Sequence, residues 1–284
     1  MKPDLHKLTH HRCRCGFDAH RRSRHTSGAD PLPVTTPFKD HFSAVAANYE
    51  QYRPRYPREL FDYLRDIAPR ADRAWDCACG SGQATLELAG RFAAVTATDA
   101  SAGQLAEAPP HPRITYRLAP AEASGLPDHS VDLVTVAQAV HWFDLNRFYI
   151  EARRVLAADG IIAVWSYGAH RLGIKAIDRL AADFYHNVVG PYWPPERKHV
   201  EEGYRTIPFP FAEVPAPAFA MRTHWSLPQL LGYFRSWSAT TRYLAARGKD
   251  PVEALEQKLR RPWGDPATVR EITWPLAVRV GRTG

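Results

Sequence analysis

Cysteine is scarce in this chain. There are four in 284 residues, set as two C-x-C pairs, Cys13/Cys15 and Cys77/Cys79. That spacing matches no secreted disulfide framework, so a reducing, cytoplasmic setting is the expectation. No run of about 18 apolar residues exists, which argues against a membrane span. The first residues lack the apolar h-region of a secretory signal. A zinc site made from Cys13, Cys15 and the nearby histidines would not have zinc-finger spacing. No paired-carboxylate, Ser-His-Asp or metal-ligand constellation stands out, and no metal is expected.

The composition that remains is ordinary: 45% apolar and 24% charged residues, in a chain long enough to bury a sizeable core. The net charge of +7 is unevenly placed. Within the first 25 residues, seven positive side chains face only Asp4 and Asp18, so +5 of the total sits there. The body is nearly neutral, and nucleic acid is not the expected partner. His6, His10, His11, His20 and His25 share that stretch, which has no apolar periodicity. A disordered basic tail is expected over 1–37, ending in the proline-rich ADPLPVTTP. One catalytic domain is expected over 38–284. With no heptad or extended apolar edge, oligomeric state stays open.

Phe42, Val45, Ala46 and Tyr49 recur at helical spacing before YEQYRPRYP interrupts them, and Leu60, Phe61 and Leu64 mark a second helix at Arg58–Ile67. Strands then alternate with helices. Strands are expected near Arg73–Cys77, Ala94–Thr98, Ile114–Leu118, Val131–Ala137 and Ile161–Trp165. Helices are expected at Gln83–Arg91, Ala102–Ala108 and Asp144–Leu156, the last stopped by Gly160. Such alternation means a parallel sheet covered on both faces. Beyond it come one helix through Ile174, Ile177, Ala181, Phe184 and Val188, and an aromatic, proline-rich loop. A strand near Ala216–Thr223, helices near Leu227–Trp237 and Val252–Arg260 and a closing strand near Glu271–Val280 complete the chain.

The stretch AWDCACGSGQAT puts Gly80 and Gly82 at the end of the first strand, where an open parallel sheet binds its ligands. Asp99, closing the second strand in VTATDAS, is placed to accept from both hydroxyls of a ribose. A dinucleotide loop would need a third glycine, but Gly82 is followed by Gln83, Ala84 and Thr85. A P-loop would need G-K-[ST], which is absent. S-adenosylmethionine carries no phosphate and needs only room for its amino-acid part, with Asp76 near its ammonium. It is the favoured cofactor.

The segments DCACGSGQA, TATDAS, APAEASGLPDHSVDLVTVAQAVHWFD and RRVLAADGIIAVWSYG together resemble the class I S-adenosylmethionine-dependent methyltransferases, in the small-molecule branch with trans-aconitate methyltransferase-like proteins. The likeness spans roughly residues 38–282. It implies an α/β, Rossmann-like seven-stranded sheet whose last strand is antiparallel, helices on both faces, and a small helical and aromatic cap from about 38–68, 169–215 and 227–262. By the same resemblance, Asp76 and the backbone of Cys77 through Gly82 would surround the methionine moiety, Asp99 would bind the ribose, and Ala100 would pack on the adenine. Ala121 and Glu122 would border the adenine edge, and Gln138 and Ala139 would lie near the sulfonium. Two positions depart from the family pattern. Ala78 replaces its first glycine, a mild change if φ is negative there, and Pro120 replaces an adenine-contacting Asp.

Methyl transfer needs a base only when the acceptor arrives protonated. His141, in QAVHWF, is the candidate catalytic base, with an imidazole that would titrate near neutrality; the bland alternative makes His141 and Trp142 wall residues. Tyr49, Arg53, Trp142, Trp193, Arg197 and Arg242 are the candidate substrate residues, and aromatic walls with arginines suit a small, partly apolar, possibly acidic molecule. The expected reaction is methyl transfer to a small-molecule carboxylate or hydroxyl oxygen. The alternatives are a cofactor-binding protein without turnover, and methylation of nucleic acid or protein.

Overall fold

The computed structural model describes residues 53–283. The basic tail, the helix expected around Phe42–Tyr49 and the candidate Tyr49 lie outside the described residues.

Five strands form the parallel part of the sheet: β1 (Arg73–Cys77), β2 (Ala94–Asp99), β3 (Ile114–Leu118), β4 (Val131–Ala137) and β5 (Leu156–Tyr167). Three more follow, β6 (Ala212–Val214), β7 (Ala220–Trp225) and β8 (Arg270–Arg282). The strand order is β3-β2-β1-β4-β5-β8-β6, and β8 runs antiparallel to β5. The order reverses direction between β1 and β4, which opens a crevice beyond their carboxyl ends.

Alternation along β1 shows why this sheet needs two covers. Ala74 packs with Leu60, Phe61 and Leu64 of α1 (Arg58–Ile67) and Leu88 of α2 (Gln83–Ala89). Its neighbour Trp75 faces the other side, among Phe148 and Ala152 of α4 (Leu145–Val155). A short α3 (Ala102–Ala106) joins β2 to β3. Each fully buried Leu, Val or Phe in these layers contributes about 1.5–3 kcal/mol of transfer free energy.

A third core belongs to the cap. It gathers α5 (Lys175–Asp183), α7 (Leu227–Arg235), α8 (Ser238–Arg247) and α9 (Pro251–Trp263) around Phe184, Phe234, Trp237 and Trp274; the small α6 (Arg197–Glu201) instead buries Val200 in the layer of Trp75 and Phe148. The long β8 ties cap to sheet. Its second half pairs with β5 and β6, and its first half pairs with β7.

Three expectations are corrected. The strand anticipated at Ala216–Thr223 begins at Ala220 and extends the front of β8, while the outer place in the sheet goes to the three residues Ala212–Val214. Gly160 does not end a helix: β5 starts directly at Leu156, and its pairing with β4 resumes at Ile161 after an irregularity. The helix through Val188 stops as an α-helix at Asp183, and Phe184–Val188 form a π-helical turn that buries Tyr185 beside Phe184. No helix among the described residues is long and apolar enough to cross a membrane.

Candidate active site

The loop leaving β1 is built on one buried acid and held by another. Asp76 is fully buried; its Oδ2 accepts from the Thr85 hydroxyl at 2.6 Å and its Oδ1 from the Thr135 hydroxyl at 2.8 Å. It therefore staples α2 and β4 to β1, underneath the loop. Burial raises its pKa to about 6, although both hydroxyls oppose the shift. Above it, Cys79 N donates to Thr98 O at 3.0 Å, and Gly82 N donates to Cys79 O at 3.0 Å. Burial also raises the thiols of Cys77 and Cys79, which stay protonated.

Asp99 closes β2 and clamps the same turn. Its Oδ2 accepts from Gly80 N and its Oδ1 from Ser101 N, each at 2.8 Å. Gly80 and Gly82 both have positive φ, +56° and +86°, and a Cβ on Gly82 would come within 2.8 Å of the Tyr116 hydroxyl. Ala78 also lies in the left-handed region, at φ +54°. The condition for a mild Gly-to-Ala change is not met, and an L-residue with a side chain is strained there by about 1–2 kcal/mol. Ala100 follows Asp99, half-buried.

After β3, Ala121 is 8% exposed, and Glu122 Oε1 accepts from Asp144 N at 2.9 Å, securing the start of α4. After β4, Gln138 is pinned twice: its backbone N donates to Trp165 O at 2.9 Å and its Nε2 to Tyr167 O at 3.0 Å. Its φ of +59° is the strained conformation expected where a loop serves a site. Ala139 starts the 3₁₀ turn Val140–Trp142, which brings the His141 and Trp142 ring centres within 4.7 Å at a tilt of 41°. The Asp76, Gly80, Asp99, Gln138 and Ala139 positions thus share one edge of the sheet, because β1 pairs with both β2 and β4.

His141 departs from the electrostatic expectation. Its Nδ1 lies 2.9 Å from the Tyr204 hydroxyl, and burial, seconded by Arg197 and His199, lowers its pKa to about 3. The ring is neutral at physiological pH rather than titrating near it.

The candidate substrate residues fall into separate groups. Arg53 Nη1 donates to the Tyr167 hydroxyl at 2.8 Å and its guanidinium lies 6.0 Å from the Tyr233 ring centre. Trp193 and Arg197 meet elsewhere in the cap: the Arg197 guanidinium sits 4.6 Å from the Trp193 ring and Nε donates to Tyr185 Oη at 2.7 Å. Tyr185 in turn donates to Glu201 at 2.7 Å, and these four residues line a cleft of about 280 Å³. Arg242 Nη1 reaches the Tyr192 carbonyl at 3.3 Å. Three tyrosines that bond the candidate residues are not among the sequence-based expectations: Tyr167 meets Arg53, Tyr185 meets Arg197 and Tyr204 meets His141. Tyr167 could have been found, since it ends a strand at the ligand-binding edge. Tyr185 depends on the π turn, and Tyr204 on a partner 63 residues away, for which no sequence signal exists.

Comparisons with known proteins identify the family. Residues 75–164 match the family described as methyltransferase domain. A Dictyostelium discoideum protein named as a methyltransferase is 34% identical over 236 residues, covering 82% of this chain and 90% of its own. A solved structure described as a type II methyltransferase from Anaeromyxobacter dehalogenans is 46% identical over 81% of this chain and 98% of that one, with a TM-score of 0.78. A malonyl-acyl-carrier-protein O-methyltransferase of Geobacter sulfurreducens is 34% identical over 140 residues, 46% of this chain and 52% of that one. With relatives spanning four-fifths of its length and a sheet of matching topology, the chain belongs to the class I S-adenosylmethionine-dependent methyltransferase family.

Proposed function

We propose that this methyltransferase acts on a small molecule, transferring the methyl of S-adenosylmethionine to a carboxylate or hydroxyl oxygen. One observation carries the cofactor half of the reading: the Asp99 carboxylate stands at the end of β2 and grips the amide of Gly80 in a turn of bare, positive-φ backbone. A carboxylate at that level suits a sugar diol, and glycine backbone suits an amino-acid tail. The residues that would hold the cofactor are Cys77 through Gly82, Asp99, Ala100, Ala121, Glu122, Gln138 and Ala139. Asp76, buried under both oxygens' hydroxyl partners, would act by fixing the loop.

When bound, the cofactor supplies an electrophilic methyl on a sulfonium whose charge disperses as the bond transfers. The chain's own part is to orient the acceptor and exclude water, and orientation alone can supply much of the rate. Tyr167, Arg53 and Tyr233 give an aromatic wall with one guanidinium, and Trp193 and Arg197 give another. Both suit a partly apolar acceptor bearing negative charge. The O-methyltransferase relative supports an oxygen acceptor. Incubation with methyl-labelled S-adenosylmethionine and a metabolite extract tests the reading. Label is expected in a small organic acid or alcohol, and label confined to protein or nucleic acid would overturn it.

A further inference from the structure

We infer that Tyr204 is a positioning residue that holds His141 as a hydrogen-bond donor, its proton on Nε2, so that His141 is not the base of the transfer. The final clause rests on the methyltransferase reading; the tautomer does not.

His141 Nδ1 and the Tyr204 hydroxyl lie 2.9 Å apart, and either could donate. Burial separates the two arrangements. Tyr204 is fully buried, and its hydroxyl has no other polar partner among the described residues. If Nδ1–H donated, the phenol hydrogen would point into a space with no acceptor. The penalty for such an unmade buried bond exceeds the net gain of a made one, and sets the ratio at roughly tenfold or more. If Tyr204 donates, both groups are satisfied and the imidazole proton sits on Nε2. That nitrogen does not appear among the buried, unpartnered atoms, so it keeps access to solvent or to a ligand.

The backbone of Tyr204 shows the same fixing. It sits at φ +60°, where a bulky side chain is a true outlier. Arg279 on β8 holds it there, donating from Nη1 to the carbonyls of Tyr204 at 2.8 Å and Ile207 at 2.7 Å. Burial keeps the phenol protonated, and burial first, with Arg197 and His199 acting in the same direction, disfavours an imidazolium at His141. An Nε2–H can steady an acceptor oxygen but cannot take its proton. The arrangement therefore suits an acceptor that arrives already ionised.

Long-range ¹H–¹⁵N spectra of the full-length, ¹⁵N-histidine-labelled chain test this without any substrate. His141 is assigned by its loss in His141→Gln. The wild type is expected to show the Nε2–H pattern at pH 7, unchanged from pH 5 to 8, and Tyr204→Phe to move the tautomer ratio roughly tenfold toward parity. An Nδ1–H pattern in the wild type, or an unmoved ratio in Tyr204→Phe, would overturn the inference. Should Tyr204→Phe not fold, the wild-type spectrum decides alone. With the acceptor from the labelling experiment, kcat of His141→Gln, which still donates, should exceed that of His141→Leu at least tenfold; equal loss, with cofactor binding retained, points to a base and also overturns it. Cofactor binding, read separately by calorimetry, reports on the underlying reading.

Discussion

Asp99 accepts the amide of Gly80 at 2.8 Å, joining the end of β2 to the turn that leaves β1. The two residues are 19 apart in sequence, yet one hydrogen bond makes them a single unit.

The first prediction concerns that unit. Asp99→Ala should weaken S-adenosylmethionine binding by about tenfold to a hundredfold, since hydrogen bonds to a charged group are worth about 1.5–3 kcal/mol. Isothermal titration measures it. An unchanged Kd would remove Asp99 from the cofactor site.

Ala78→Gly should stabilise the protein by about 1 kcal/mol, because φ +54° suits glycine and strains alanine. At this chain size that is a rise in Tm of about 2–4 °C. A lower Tm would mean that the left-handed backbone at this position carries little strain.

Gly82→Ala should cost more than about 1 kcal/mol, through both its φ of +86° and the 2.8 Å approach of a Cβ to the Tyr116 hydroxyl. Adding Tyr116→Phe should return the steric part and leave the backbone part. Equal unfolding midpoints for the single and double variants would show that the hydroxyl is not the obstacle.

Asp76 makes a pH prediction whose sign is set by its raised pKa, about 6 against an ordinary 3.8. Between those values the folded chain binds more protons than the unfolded one, so this group's contribution is full below pH 4 and is lost as pH rises through 6. Relative to Asp76→Asn, the wild type should therefore lose stability by a few kcal/mol, on the order of 3, from pH 4 to 7. Denaturant titrations at the two ends check this. Parallel behaviour of the two proteins would place the ionisation outside this window.

Local pattern accounts for what the sequence revealed. α1, β1, β3 and β4 begin and end where apolar spacing put them: α1 lays one apolar stripe on the sheet, and the strands are short apolar runs, β1 and β4 being covered on both faces. The glycine turn and Asp99 were equally legible, since a bare-backbone turn after a strand leaves few residue choices. The three-residue β6 was not, lying between Phe211 and Pro215 with too few residues to show a period. The bend at Phe184–Val188 was invisible for a related reason: a π turn keeps helical composition and changes only its phase.

By itself the sequence determined the family, the parallel sheet and the edge where the glycine turn and Asp99 lie, because these follow from short-range spacing and from turns that few residues can make. Only the tertiary structure decided the chemical state of the groups there. It buried Asp76 beneath two hydroxyls, set Ala78 in a left-handed turn, and brought Tyr204 to His141 from 63 positions away. Protonation and tautomer depend on solvent exclusion and on distant partners, and neither is written in local order.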